Sequence, residues 1–335
     1  MFQPQDYPDM LVGLGEPDDA AVWRLDDARA LVVTTDFFTP VVDDAYDYGS
    51  IAAANALSDL YAMGATPIMA LNIAGFPPSL PADVTADILL GGAEKVREAG
   101  AAISGGHTIQ DEEPKYGLVA LGLVALDELM TKTAARAGDV LMLSKPLGTG
   151  VITTALKREI ANSDHVSSAV AWMKRLSAPA SRLARQHGVR AATDVTGFGL
   201  LGHSQELAEA SSVHLRLWLR SIPFMAGADE YARAGAWPGG SADNMQFFTP
   251  AVAFEEPINE IAKMLLFDAQ TSGGMLLAVP EGRVGDLLAD ADILGIPLWA
   301  IGRVESGSGI AVVDAELEMG AERTPSTDVW FFPRA

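Results

Sequence analysis

The chain reads as an α/β protein of two domains, and three observations predict it. Short β-branched and apolar runs alternate with longer stretches of helical spacing, the pattern of interleaved strands and helices. At 335 residues the chain exceeds what one ordinary hydrophobic core organises. From Asp127 to Gly138 the composition turns short, charged and Ala/Thr-rich, and a fresh strand follows. The boundary is therefore set there, dividing the chain into domains 1–126 and 127–335.

In the first domain a strand is expected over Ala21–Leu25, leaving directly from the acidic pair Asp18-Asp19. A second strand, Ala30–Thr35, delivers Asp36 at its end. After an acid-rich loop (Asp43, Asp44, Asp47) an alanine-dense helix runs to Gly64, a normal C-terminal stop with Pro67 just beyond. Pro67–Phe76 reads as a strand and Asp83–Ala99 as a helix ending at Gly100. A short buried strand then enters Gly105-Gly106-His107-Thr108, and another returns over Tyr116–Leu126.

The second domain opens with strand Val140–Ser144 and a loop, Lys145 to Gly150, that starts a helix. Helical spacing covers Ser168–Gln186, and strand Val189–Thr193 ends on Asp194. The segment from Gly197 to Gly202 then matches G-x-G-x-x-G between a strand and a helix. A dinucleotide site also needs an acid at the end of the next strand, yet Val213–Leu219 ends in Arg220 and Ser221, so the match is a false positive for NAD. A helix over Glu255–Phe267, strand Met275–Val279, a helix over 281–294 and a strand over 297–304 complete the pattern. Glu316–Ala335 is sparse and reads as loop or surface cover.

Composition excludes several functions. A net charge of −21 opposes nucleic-acid binding, which needs clustered Lys and Arg. With no cysteine there are no disulfides, thiolate metal sites or cysteine nucleophiles. No apolar run reaches membrane-spanning length, and MFQPQDYPDM has neither the basic nor the apolar region of an export signal, so a cytoplasmic location without membrane partners is expected.

The chemistry-bearing residues are acids at strand ends and on one helix face. Asn55 and Asp59 are spaced i, i+4 and share a face with Ser58 beside them. Facing Asp36, they form a candidate hard-cation site of the kind magnesium shares with phosphate, or else the wet face of an amphipathic helix. Residues alone leave both readings open. Likewise Asp18 and Asp19 fit turn acids, and Gly105-Gly106 fits either a tight turn or a place where backbone N–H groups meet an anion, with His107 and Thr108 adding donors. Together Asp19, Asp36, Asp59, Asp194 and Asn55, with glycine-rich turns, suggest metal-assisted phosphoryl chemistry.

At this point the chain resembles a known family. DDAAV (18–22), TTDFFTPVVDD (34–44), NALSDLYAMGATPIMAL (55–71), SGGHT (104–108), KPLGTG (145–150), TDVTGFGLLGH (193–203) and DAQTSGG (268–274) together look like selenophosphate synthetase, selenide, water dikinase. The match is collinear over nearly the whole chain. The wider aminoimidazole ribonucleotide synthetase-like superfamily shares the DD and glycine-rich positions, but TTDFFTP and TDVTGFGLLGH point to the selenium member. The resemblance implies an N-terminal ATP- and Mg²⁺-binding domain that pairs with its copy in a homodimeric β-barrel, followed by a C-terminal α/β sandwich. It implies metal ligands at Asp19, Asp36, Asp59 and Asp194, and nucleotide contacts at Asp36, Asn55, Asp59, Gly105, Gly106, His107 and Thr108. The implied reaction takes ATP, selenide and water to selenophosphate, AMP and orthophosphate.

One departure bears on activity. The family carries a Cys or selenocysteine and a catalytic Lys ahead of the DD motif, whereas the seventeen residues before Asp18 contain neither. The expectation is nucleotide binding with impaired selenophosphate formation and no assignable catalytic residue. The alternatives are a nucleotide-binding dimer without selenide activity, or a kinase or ligase of the same superfamily with another acceptor.

Overall fold

The computed structural model describes residues 6–15, 18–255, 257–316 and 328–333. The chain forms two compact units, Met1–Thr131 with Met173–Ala178, and Lys132–Trp172 with Pro179–Ala335.

Unit 1 comprises β1 (Met10–Val12), β2 (Ala21–Arg24), β3 (Arg29–Phe38), α1 (Ala45–Ala62), β4 (Thr66–Phe76), α2 (Ala82–Glu98), β5 (Ala102–Gln110) and β6 (Lys115–Ala125). They build a six-stranded sheet in the order β1-β2-β3-β6-β4-β5, antiparallel except for the parallel pair β4/β5. Helix α1 starts where the Asp44 side chain accepts from the Asp47 N–H at 2.8 Å, an N-cap that explains one acid of the preceding loop. It packs on β3, β4 and β6 while α2 packs against β5.

The two helices meet with their backbones almost touching. A Cβ on Gly49 would fall 1.9 Å from the Ile88 carbonyl oxygen, and one on Gly91 would fall 2.0 Å from that of Tyr46. Glycine is therefore a packing requirement at both places. Gly49→Ala is expected to cost about 1–3 kcal/mol by forcing the helices apart, read as a lowered urea midpoint.

The sheet face away from α1 is also apolar. Trp23, Leu31, Val33, Val119, Leu121 and Leu123 alternate with the buried residues of their strands yet stay half-buried or exposed. An antiparallel sheet that faced water there would carry polar side chains.

Unit 2 contains β7 (Val140–Leu143), α3 (Thr149–Lys157), α4 (Ser163–Lys174), α5 (Ala178–Gln186), β8 (Ala191–Asp194), α6 (Gly199–Ser211), β9 (His214–Trp218), β10 (Phe224–Met225), α7 (Ala228–Arg233) and α8 (Gly239–Phe248). It continues through β11 (Val252–Phe254), α9 (Glu260–Leu266), β12 (Met275–Val279), α10 (Val284–Leu294), β13 (Trp299–Glu305), β14 (Gly309–Val313) and β15 (Val329–Trp330). The last two residues of α4 belong to unit 1. A seven-stranded mixed sheet runs β11-β14-β9-β13-β7-β12-β8. Its inner strands β7 and β12 are wholly buried, which is why VLML and MLLAV read as continuous apolar runs rather than alternating ones.

Several expectations need correction. Asp36 does not end its strand: β3 continues to Phe38, and Asp36 sits opposite Leu118 of β6. The Gly105-Gly106 pair is no turn and does not follow a buried strand. It lies within the largely exposed strand β5, where both glycines adopt φ of 142° and 151° beside a bulge in the β4/β5 register. The helical stretch 168–186 is two helices broken between Lys174 and Ala178. The helix expected over 255–267 begins at Glu260, because Asn259 caps it by accepting from the Ala262 N–H at 2.8 Å. In the segment 316–335, residues 317–327, 334 and 335 lie outside the described residues. Val329–Trp330 pairs with Phe224–Met225, and Trp330 and Phe332 pack edge-on against Phe224.

Candidate active site

In unit 1 the strand β3 and the helix α1 brace each other. Thr34 and Asp36 are two apart, so they point to the same face of β3. Asn55 and Asp59 are four apart, so they stack on the same face of α1. Asn55 Nδ2 donates to Asp36 Oδ2 at 2.7 Å, and the Thr34 hydroxyl donates to an Asp59 carboxylate oxygen. Strand threonine holds the helix acid, and helix asparagine holds the strand acid. Both donors are neutral, so these bonds orient the carboxylates without cancelling their charge. Burial pushes the Asp36 carboxyl above the usual carboxylate range, with the Asn55 bond pulling the other way.

This geometry disposes of the wet-face reading of α1. Asn55 and Ser58 are buried, and Asp59 is half-buried against the sheet. The Ser58 hydroxyl has no hydrogen-bond partner. Asp18 and Asp19 precede β2, and the Asp19 N–H donates to Asp18 Oδ1 at 2.9 Å, a local turn contact.

The glycine strand stands in register with Asp36. Asp36 faces Leu118, Leu118 faces Asn72, and Asn72 faces Gly106, so all four share one row across β3, β6, β4 and β5. Three strand spacings separate the ends of that row, roughly 14 Å. A Cβ on Gly106 would meet the Asn72 carbonyl oxygen at 2.3 Å, so only glycine fits there. His107 and Thr108 continue β5 on its exposed stretch.

In unit 2 Asp194 ends β8 and is 2% exposed. The loop after it is tied to the 268–274 segment, with Val195 N–H donating to Gly274 O at 2.8 Å and Gln270 N–H to Thr196 O at 2.9 Å. That segment also fills the start of α3. Gln270 Oε1 accepts from the Gly148 and Thr149 amides at 2.9 and 3.1 Å, and Asp268 Oδ2 from the Gly150 and Val151 amides at 3.1 and 3.3 Å. Lys145 Nζ is buried on the Ser272 carbonyl at 2.7 Å. The glycine loop 145–150 is thus closed by the protein's own side chains, a structural use of a motif that resembles a phosphate cradle.

For magnesium the donor chemistry fits. The candidate ligands Asp19, Asp36, Asp59 and Asp194 offer hard carboxylate oxygens, the donors a hard cation takes. Among the described residues no three His, Asp or Glu side chains gather into a cage of their own. Magnesium seldom uses such a cage. It is commonly held by one or two carboxylates together with substrate phosphates and water.

Sequence reasoning missed Thr34, although its i, i+2 relation to Asp36 carried the signal. It also missed the capping role of Asp268 and Gln270, which lie more than a hundred residues from the helix they cap and leave no local trace.

Comparison with known proteins places the chain in a class and then in a family. Residues 17–124 match the model of AIR synthase related protein, N-terminal domain, and residues 136–315 match its C-terminal domain. The fold agrees. Thiamine-monophosphate kinase from Stenotrophomonas maltophilia superposes with a TM-score of 0.66 at 22% identity, covering 92% of each chain. A hydrogenase maturation protein in complex with ATP superposes at 0.66 with 20% identity, over 90% of this chain and 86% of that one. These define an AIR synthase related protein. Closer relatives are named selenide, water dikinase. The protein of Caldanaerobacter subterraneus is 50% identical over 83% of this chain and 80% of its own, and that of Carboxydothermus hydrogenoformans is 45% identical over 91% and 89%. The chain belongs to the selenide, water dikinase family.

Proposed function

We propose that this chain makes selenophosphate from ATP, selenide and water, releasing AMP and orthophosphate. Identity near one half with relatives named for that reaction, over most of both chains, is the observation that carries the reading. It favours this activity over a nucleotide-binding dimer without selenide chemistry and over a kinase with another acceptor.

Asp36 and Asp59 hold Mg²⁺ against the nucleotide's phosphates, with Asn55 and Thr34 keeping both carboxylates aimed. Asp19 is a further ligand, and Asp194 is the cation ligand of the second unit. Gly105, Gly106, His107 and Thr108 receive the nucleotide, which suits an exposed strand in register with Asp36. Magnesium, when bound, neutralises the polyphosphate and the charge that develops as a phosphoryl group transfers. A chain with a net charge of −21 needs such ions before it can hold an anionic substrate.

The apolar outer face of the unit 1 sheet supports a homodimer in which a second copy covers it. Sedimentation at micromolar concentration should give a dimer mass, and a monomer there rejects this assembly. For the reaction itself, the test is AMP and selenophosphate formation with and without selenide. Formation of ADP as the end product, or turnover indifferent to selenide, would reject the assignment.

A further inference from the structure

A chain of charged and polar groups in unit 2, with its lysine and histidine buried and Glu206 half-buried, ends on the loop that follows Asp194. His203, on the second turn of α6, places Nε2 3.3 Å from Thr196 Oγ1 and 3.4 Å from the Phe198 amide nitrogen. An amide N–H can only donate, so Nε2 is the bare nitrogen and Nδ1 carries the proton. Nδ1 in turn lies 3.3 Å from Glu206 Oε2, within ion-pair distance but not hydrogen-bonded to it. The same carboxylate oxygen takes Lys132 Nζ at 3.0 Å. Burial alone would raise the Glu206 carboxyl, but His203 and Lys132 beside it hold it below the usual range.

Burying the charged end of a lysine is a poor way to gain stability, since an apolar side chain of similar volume does as well or better. Lys132 and His203 are 5% and 6% exposed, and the chain they form does not end in the core. It ends at Thr196, Gly197 and Phe198, which are half-buried or exposed. These residues immediately follow Val195 and Asp194. The opposite side of the loop is pinned by the 268–274 segment, as described above. Asn244 Nδ2 donates to Gly197 O at 2.8 Å, and His203 is a third pin.

We propose that Lys132, Glu206 and His203 form a positioning relay that sets the Val195–Phe198 loop and thereby aims the Asp194 carboxylate at a divalent cation. The inference rests on the reading of Asp194 as a cation ligand. Lys132 fixes Glu206, Glu206 holds the imidazole in place by charge and contact at 3.3 Å, and Nε2 holds the Thr196 hydroxyl and the Phe198 amide. None of the three touches the cation. Outer partners of this kind are commonly worth ten- to a hundredfold in metal affinity.

The experiment uses the full chain with Mn²⁺ as the probe and a saturating non-hydrolysable ATP analogue, with bound ion counted by electron paramagnetic resonance. Asp194→Asn should remove or weaken one class of Mn²⁺ site. Glu206→Gln and His203→Ala should weaken that same class roughly ten- to a hundredfold and leave the other classes alone. Amide exchange at Phe198 and Gly199 should quicken in both. A merely structural relay would lower the melting temperature without selecting one Mn²⁺ class when binding is measured well below melting. If Glu206→Gln and His203→Ala bind Mn²⁺ as the wild type does while Asp194→Asn does not, the relay is wrong and the ligand reading stands. If Asp194→Asn itself changes nothing, the ligand reading falls and takes the relay with it. Should His203→Ala fail to fold, the isosteric Glu206→Gln carries the test.

Discussion

Asp59→Asn is expected to weaken Mg·ATP binding by tenfold or more, and Asp36→Asn by a similar factor, with little change in stability. An amide in place of either carboxylate keeps an oxygen for the neutral donor that holds it but removes the negative charge a cation needs. Loss of one oxygen ligand from such a site has an effect at least as large as loss of an outer partner, roughly ten- to a hundredfold. Isothermal calorimetry with Mg²⁺ and a non-hydrolysable analogue measures it, and affinity unchanged in both variants would reject the site. The pH dependence has a definite sign. Burial raises the Asp36 carboxyl, so on acidification it takes its proton earlier than an ordinary carboxylate. Mg·ATP affinity should therefore fall as pH drops through that raised value, and Asp36→Asn should lack this part of the fall.

The second large effect lies in the fold. Asp268→Asn is expected to destabilise the protein by about 2–4 kcal/mol, because an amide NH₂ would replace one of the two oxygens that accept from the buried donors around it. Asp268 is fully buried and accepts from the Gly150 and Val151 amides, the Ser241 hydroxyl at 3.0 Å and Gln270 Nε2 at 3.0 Å. Burial pushes its carboxyl up to about 7, against the pull of those hydrogen bonds. In the unfolded chain it titrates near 4, roughly its ordinary value. Between the two, the folded state keeps a proton the unfolded state has lost. Its contribution to stability is therefore full below about pH 4 and is lost as pH rises toward 7. Urea unfolding across that window should show the gap between wild type and Asp268→Asn narrowing as pH rises. A gap that widens would contradict the assignment.

Much of the candidate site was legible because it is local. The i, i+4 spacing of Asn55 and Asp59 needs only a helix, and the alanine density around them predicts one. The strand that brings Asp36 to them is recognisable from its β-branched residues, although pairing with β6 carries it past Asp36 to Phe38. Gly105-Gly106 misled for the opposite reason. Paired glycines ordinarily signal a turn, and nothing local says that a strand will pass through them.

By itself the sequence determined the class of the protein, its approximate division into two α/β parts, most element positions and the residue types available for chemistry. Periodicity and composition encode these directly, since they depend on neighbours within a few residues. Tertiary structure decided how those residues are used. It turned Asn55 and Thr34 into neutral braces for two carboxylates, because β3 and α1 pack face to face. It closed the 145–150 loop with Asp268 and Gln270, because four amides at a buried helix start must find acceptors wherever the fold offers them. It set Gly106 in the row of Asp36, because register between strands depends on pairings that span the whole domain.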